Sequence, residues 1–166
     1  MPSLSDNRRL QLLRDLPGLI PFLALTALAA ASGILTPPGA WYQTLAKPPG
    51  TPPGIVFPVV WTLLYVLIAV AAWQVWRRAG LRGGLPALVP FVGQLGANGL
   101  WSLLFFGLHS PALGLLDILL LAVLIVLCIT RFHRVSPPAA WMLTPYLAWV
   151  CYAAYLNAGI VFLNGG

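Results

Sequence analysis

The sequence predicts an all-α membrane protein: a five-transmembrane-helix bundle with a long proline-rich loop between helices 1 and 2. Three observations lead there. First, 60% of the 166 residues are hydrophobic and only 7% charged, with a mean hydropathy of +0.88. A water-facing domain carries about 25% charged residues, so most of this surface must meet hydrocarbon. Second, the apolar residues fall into five runs of the length that crosses a bilayer, roughly 20 residues each. Third, almost all basic residues lie between alternate runs. Backbone polar groups must find partners inside the membrane, which a helix achieves alone. A β-barrel would need period-two alternation, and the runs lack it.

The elements follow in order, and residues 1–166 read as a single domain. Residues 1–15, MPSLSDNRRLQLLRD, are polar and show no leader-cleavage pattern, so the first apolar run is expected to be retained. Span one is Leu16 to Leu35. Span two runs from Ile55 to Trp76 and stops at Arg77-Arg78. Span three is Pro86 to Phe106. Span four opens at Pro111, a favourable first-turn proline, and ends before Arg131. Span five is Ala139 to Leu163. Pro58, Pro90 and Pro145 come early in their spans, where a missing N–H costs least.

Five spans put alternate connections on opposite sides. Arg8, Arg9, Arg14, Arg77, Arg78, Arg82, Arg131 and Arg134 share one side, and Lys47 is alone on the other. The positive-inside rule then places the N-terminus in the cytoplasm and the loop and C-terminus outside. The net charge of +6 and pI near 10.0 therefore belong to juxtamembrane anchors, and no nucleic-acid partner is expected. Cys128 and Cys151 lie inside apolar runs without metal-ligand spacing, so no metal site and no disulfide are expected. No internal repeat supports an inverted-repeat transporter.

Helical spacing assembles three faces that mix rings with polar groups. Trp61, Tyr65, Ile68 and Ala72 share one face of span two. Gln94, Asn98, Trp101 and Phe105 share one of span three, and Trp149, Ala153, Leu156, Asn157 and Ile160 one of span five. Carboxamides at membrane depth should turn inward. Converging faces would form a flat-walled apolar pocket with a few hydrogen-bonding groups. For Asn98 and Asn157 a purely helix-bridging role is the alternative. Trp73, Trp76 and Trp141 read as interfacial belt residues, and His109 and His133 as solvated loop residues. Asp117 is the one acid inside a span, either a functional group or a neutral, hydrogen-bonded packing residue. Gly93 and Ala97 give span three a small-residue spacing that suits a homodimer.

The segment WYQTLAKPPGTPPG, Trp41 to Gly54, holds Pro48, Pro49, Pro52 and Pro53 and one charge, Lys47. Proline fixes φ and lowers the entropy lost on ordering a loop, so a stiff aromatic loop can roof a cavity without a helix. Lys47 at its rim would suit a ligand carboxylate.

Taken in order, WYQTLAKPPGTPP, FPVVWTLLY, QLGANGLWSLLFFG, PALGLLDILLL and PYLAWVCYAAYLN resemble the TspO/translocator protein family, also called tryptophan-rich sensory or peripheral benzodiazepine receptor proteins. The resemblance covers the chain from about residue 40 to the C-terminus. It implies five transmembrane helices and a pocket beneath the loop that takes porphyrins and synthetic isoquinoline or benzodiazepine ligands. It also implies light-dependent breakdown of protoporphyrin IX, carried by tryptophans matching Trp61 and Trp149. Ligand contacts are implied at Tyr42, Trp61, Asn98, Trp149 and Ala153. With the faces above, the candidate binding set is Trp41, Tyr42, Lys47, Pro53, Trp61, Tyr65, Asn98, Trp101, Phe105, Trp149, Ala153 and Asn157. Porphyrin is expected as ligand or substrate, with no cofactor required and membrane lipid as the surroundings. A bacterial envelope, inner membrane before outer, is the expected location. Two departures stand out. Gly50 occupies the place of a loop tryptophan in KPxWxPP, which implies a looser lid. No Lys or Arg follows Arg134, so the sterol motif near the end of the fifth helix is missing. The rival readings are a porphyrin or small-lipophile transporter and a ligand-responsive sensor acting through a partner protein.

Overall fold

A computed structural model describes residues 15–165. Arg8, Arg9 and Arg14 lie outside the described residues. Within them the regular structure is all helical. A 3-10 turn, Leu16–Leu19, leads into α1, Ile20–Leu35. Residues 36–55 follow and contain the short helix α2, Ala40–Thr44. Then come α3, Val56–Ser102, a π-helical turn at Leu103–Gly107, α4, Pro111–Val135, α5, Pro137–Met142, and α6, Thr144–Asn164. Four helical stretches are long and apolar enough to cross a membrane: Leu16–Leu35, Val56–Gly107, Pro111–Val135 and Pro137–Asn164.

The longest stretch cannot be one straight rod. Tyr65 and Asn98 are 33 residues apart, yet the Tyr65 hydroxyl donates to Asn98 Oδ1 at 2.6 Å. A continuous helix would hold them about 50 Å apart. The chain therefore doubles back, and the break is at Gly80, with φ +66° and ψ −176° inside α3. Only glycine occupies that region without strain. α3 is thus two arms lying side by side, residues 56–79 and 81–102.

This geometry alters several expected boundaries. Helix continues past Trp76 through Arg77 and Arg78, and it resumes at Leu81 rather than at Pro86. Pro86 and Pro90 therefore sit inside the second arm, not in its first turn, and each removes an i→i−4 hydrogen bond. Pro58 and Pro145 are in first turns, as expected. α4 carries on to Val135, so Arg131 and Arg134 belong to its end. The last stretch is broken at Leu143, between α5 and α6.

Capping sets the remaining starts. Ser110 Oγ accepts the Leu113 N–H and Ser136 Oγ the Ala139 N–H, each just before a first-position proline. On α4 the buried stripe Pro111, Gly114, Ile118, Leu121, Ile125, Cys128 and Phe132 keeps 3–4 spacing. Its other side is Leu116, Leu119, Leu120 and Val123, all at least half exposed. Large apolar residues on the outside, with Gln94, Asn98, Asp117 and Asn157 buried, describe a chain whose solvent is lipid. It is an integral membrane protein.

The arginine-rich end is tied together locally. Arg77 Nε meets Asp15 Oδ2 at 3.0 Å, Trp73 Nε1 donates to the Asp15 carbonyl at 3.0 Å, and Arg77 lies 4.7 Å over the Trp73 ring. Trp76 closes on Gly18, where a Cβ would meet its ring at 2.4 Å. Trp73 and Trp76 are therefore packing residues, whereas Trp141 is 68% exposed. Ala97 faces inward, and Gly99 backs onto Ala29 of α1, so the small residues left open on the second arm are Gly83, Gly93 and Gly96.

A Cβ at Gly80 has free space but the wrong backbone. Gly80→Ala should destabilise the protein by about 1–3 kcal/mol. Gly83→Ala, three residues on, should be near neutral. Thermal unfolding in detergent checks this, and equal midpoints for the two variants would remove Gly80 as the pivot.

Candidate functional site

The site is built around a directional chain of hydrogen bonds. The Tyr65 hydroxyl donates to Asn98 Oδ1 at 2.6 Å. Asn98 Nδ2 donates to Tyr146 Oη at 3.1 Å, and the Tyr146 hydroxyl donates to Gln94 Oε1 at 2.7 Å. Gln94, Asn98 and Tyr146 are all buried. The chain joins both arms of α3 to α6. Such bonds hold membrane helices together by about 0.6–2 kcal/mol each.

Aromatic rings surround this chain in two groups. In the first, Trp61 stacks on Tyr65 at 5.4 Å and stands edge-on to Tyr146 at 6.1 Å. Trp149 meets Phe57 at 5.8 Å and Tyr152 at 5.5 Å. Phe57 and Trp61 are one turn apart on α3, and Tyr146 and Trp149 one turn apart on α6. The two tryptophans are thus diagonal corners of a four-ring cluster. Both are half-buried. Trp149 Nε1 is buried with no hydrogen-bond partner, a donor left free on a face otherwise satisfied.

The second group lies at the end of the second arm. Trp101 stacks on Phe105 at 5.0 Å and donates Nε1–H to Asn157 Oδ1 at 3.2 Å. Asn157 Nδ2 in turn donates to the Pro111 carbonyl at 2.8 Å. Gly114 makes room for this, since a Cβ there would meet Phe105 Cδ2 at 2.9 Å and Asn157 Oδ1 at 3.1 Å. From the loop, Trp41 stacks on His109 at 4.5 Å and edges Phe105 at 5.9 Å, and Tyr42 meets Phe106 at 5.4 Å. Burial pushes the Tyr42 hydroxyl above its ordinary pKa, which keeps it a neutral donor.

The loop is strapped to α6. Tyr152 and Tyr155 hydroxyls donate to the carbonyls of Gly50, at 2.6 Å, and Pro49, at 3.1 Å. The Asn164 carboxamide grips both polar groups of Ala46, accepting from its N–H and donating to its carbonyl, each at 3.0 Å. Pro48 seats on Gly159, where a Cβ would stand 2.6 Å from the proline ring. The loop is thus held through the carbonyls of Pro49 and Gly50, both polar groups of Ala46 and the Pro48 ring. Gly50 itself has φ +84°, so any larger side chain there is strained at this backbone.

The structure brings together most of the predicted residues. Trp61, Tyr65, Asn98 and Trp149 share the first group, with Ala153 one turn beyond Trp149. Trp41, Tyr42, Trp101, Phe105 and Asn157 form the second. Lys47 is engaged locally, 4.7 Å over the Tyr42 ring with Nζ donating to the Leu45 carbonyl at 3.2 Å. Pro53 is exposed and accepts the Val56 N–H at the start of α3. Asp117 is buried, and its Oδ2 has no hydrogen-bond partner, so it does not tie α4 to a neighbour through that atom. His109 is an exposed loop residue, as expected, and also stacks on Trp41. Sequence reasoning missed Tyr146, the hub, and the strap of Tyr152, Tyr155, Gly159 and Asn164, of which Tyr152, Tyr155 and Gly159 keep a readable 3–4 spacing. The cavities of about 310 Å³ (Trp73, Gln74, Arg77, Arg78) and about 480 Å³ (Pro86 to Gly93, Leu124 to Arg131) lie at the arginine-rich end, away from the rings.

Comparison with known proteins agrees with this arrangement. The sequence profile of the TspO/MBR family matches residues 20–163. The chain is 44% identical to the tryptophan-rich protein TspO of Chlorobaculum tepidum, over 83% of this chain and 89% of that protein. It is 36% identical to protein CrtK of Rhodobacter capsulatus, over 87% and 91%. It is 35% identical to the translocator protein of Bos taurus, over 85% and 88%.

The strap makes its own prediction. Gly159→Ala should push Pro48 off α6 and raise amide hydrogen exchange across residues 41–54, including the Ala46 N–H. Exchange within α6 should be unchanged. A loop that stays as protected as in the wild type would mean that something other than this seat holds it.

Proposed function

Because the chain belongs to the TspO/MBR family, we propose that it binds a tetrapyrrole such as protoporphyrin IX at the paired aromatic groups beneath the strapped loop, and that it promotes the light- and oxygen-dependent breakdown of that ligand. The observation that carries the reading is the unpaired, buried indole N–H of Trp149 beside the Phe57, Trp61 and Tyr146 rings. A macrocycle offers what this face lacks, a flat apolar plate to stack on the rings and acceptor atoms for a free donor. The loop supplies the roof. Lys47 is within the same segment, and release from the Tyr42 ring would let it pair with a ligand carboxylate.

Trp61 and Trp149 are the redox residues of this proposal. Light excites the bound macrocycle, the adjacent electron-rich indole gives one electron to molecular oxygen, and the indole radical cation recovers an electron from the macrocycle, which is thereby oxidised while oxygen is reduced to superoxide. Binding needs the rings, and breakdown needs the indole.

The membrane arrangement that goes with this function has five crossings. The Gly80 hairpin divides Val56–Gly107 into two arms of about 24 and 27 residues, each of spanning length. Arg77, Arg78 and Arg82 at the hairpin and Arg131 and Arg134 at the end of α4 mark the cytoplasmic side. The loop, the rings of the second group and Asn164 then lie toward the outside. Reporter fusions at the two termini should place the N-terminus in the cytoplasm and the C-terminus outside, and a cytoplasmic C-terminus would sink the five-crossing arrangement.

Trp61→Phe and Trp149→Phe test the chemistry. Each keeps an apolar ring, so protoporphyrin IX affinity, read from quenching of intrinsic fluorescence, should fall no more than about tenfold, or about 1.4 kcal/mol. Light-dependent loss of the porphyrin Soret band, compared at equal bound porphyrin, should collapse in both. If both variants degrade the porphyrin as fast as the wild type, the tryptophans only wall the site, and carriage or sensing of the ligand becomes the better account.

A further inference from the structure

The cavity of about 480 Å³ at the arginine-rich end is a groove between the second arm of α3 and α4. Pro86, Val89, Pro90 and Gly93 line one side, and Leu124, Leu127 and Arg131 the other. Both sets have 3–4 spacing, so each wall is a single helical stripe running along the bundle. Val89 is 63% exposed, and Gly93, Leu127 and Arg131 are open as well, so the groove faces the bilayer. Its depth comes from what is missing. Gly93 has no side chain, and a Cβ there would only just reach Leu124 Cδ2 at 4.0 Å.

The polar group in this lining is Arg131. The sequence holds three acids, Asp6, Asp15 and Asp117. Asp15 is taken by Arg77 and Asp117 is buried. Among the described residues Arg131 forms no salt bridge. Arg82 is one turn before Pro86 on the opposite stripe, so register puts a second guanidinium at the same mouth. Pro86 and Pro90 lack N–H groups, which leaves the Arg82 and Pro86 carbonyls without their helical donors and free to accept from a hydroxylated headgroup.

We propose that this groove is a binding site for one anionic phospholipid, with an acyl chain laid along Pro86 to Gly93 and Leu124 to Leu127 and the phosphate on Arg131. Charge decides the occupant. An apolar channel alone would take any lipid chain, whereas a channel that ends in an unpaired arginine, with another beside it, selects negative headgroups. The basic end of the bundle is also the end from which the anionic cytoplasmic leaflet would supply them.

The test uses the full-length protein purified in a neutral detergent, with phosphatidylglycerol and phosphatidylcholine of identical chains as probes and native mass spectrometry as the readout. Wild type should retain phosphatidylglycerol in preference to phosphatidylcholine. Arg131→Gln should weaken phosphatidylglycerol retention about fivefold and leave phosphatidylcholine unchanged. Gly93→Leu, which fills the channel, should weaken both, with the thermal midpoint in lipid-free detergent serving as the check on folding. Equal retention of the two lipids by wild type overturns the proposal, as does Arg131→Gln that holds phosphatidylglycerol like wild type. If Gly93→Leu instead splits a dimer and leaves the lipid preference intact, the groove is a contact between copies of the chain.

Discussion

The Tyr146 hydroxyl is the point on which the bundle turns. It accepts from Asn98 and donates to Gln94, and Asn98 in turn accepts from Tyr65. In water such a relay would compete with solvent at every step. In hydrocarbon no solvent replaces a broken link, and a buried carboxamide without a partner is expensive. The relay therefore fixes the relative depth of three helical segments. It also explains why α3 must fold over at Gly80, because only then do Tyr65 and Asn98 meet.

Once those depths are set, the rings have little freedom. Phe57 and Trp61 must lie opposite Tyr146 and Trp149. Trp101 and Phe105, further along the second arm, must face Asn157 and the loop. The π-helical turn at Leu103–Gly107 widens the helix at the place where Phe105 and Phe106 both reach the loop residues. π-turns of this kind are often found at functional sites. The result is a site whose polar groups are nearly all spoken for within the protein. Among the described residues the buried side-chain atoms left without a partner are Trp149 Nε1, beside the rings, and Asp117 Oδ2.

Much of this was legible in the sequence. Length and apolarity gave the helical stretches, and 3–4 spacing gave the inward faces of Trp61, Asn98 and Trp149, because lipid penalises a misplaced carboxamide. Other features were hidden for physical reasons. The run from Gly80 to Gly84 contains three glycines, and composition does not say which adopts a positive φ. Pro90 looked like a first-turn proline only because the start of its helix was put at Pro86. Trp73 and Trp76 have belt composition, but the Asp15 carbonyl and the gap at Gly18 drew them into packing. Asp117 was expected to be functional or to hydrogen-bond a neighbouring helix. Its burial without a partner for Oδ2 depends on where neighbouring helices place their donors, which no periodicity reveals. The strap escaped notice because half of it is backbone.

That last property bears on substitution in the loop. Tyr152 and Tyr155 recognise carbonyl oxygens, and Asn164 recognises an amide and a carbonyl, so the roof is positioned without reference to the side chains it carries at Pro49 and Gly50. Anchoring and composition are uncoupled. Substitution at Pro49 leaves the bonds to α6 in place, whereas at Gly50 the positive φ narrows the choice. Gly50 is then one occupant of a mount whose bonds do not read its side chain, within the limit that its φ of +84° sets.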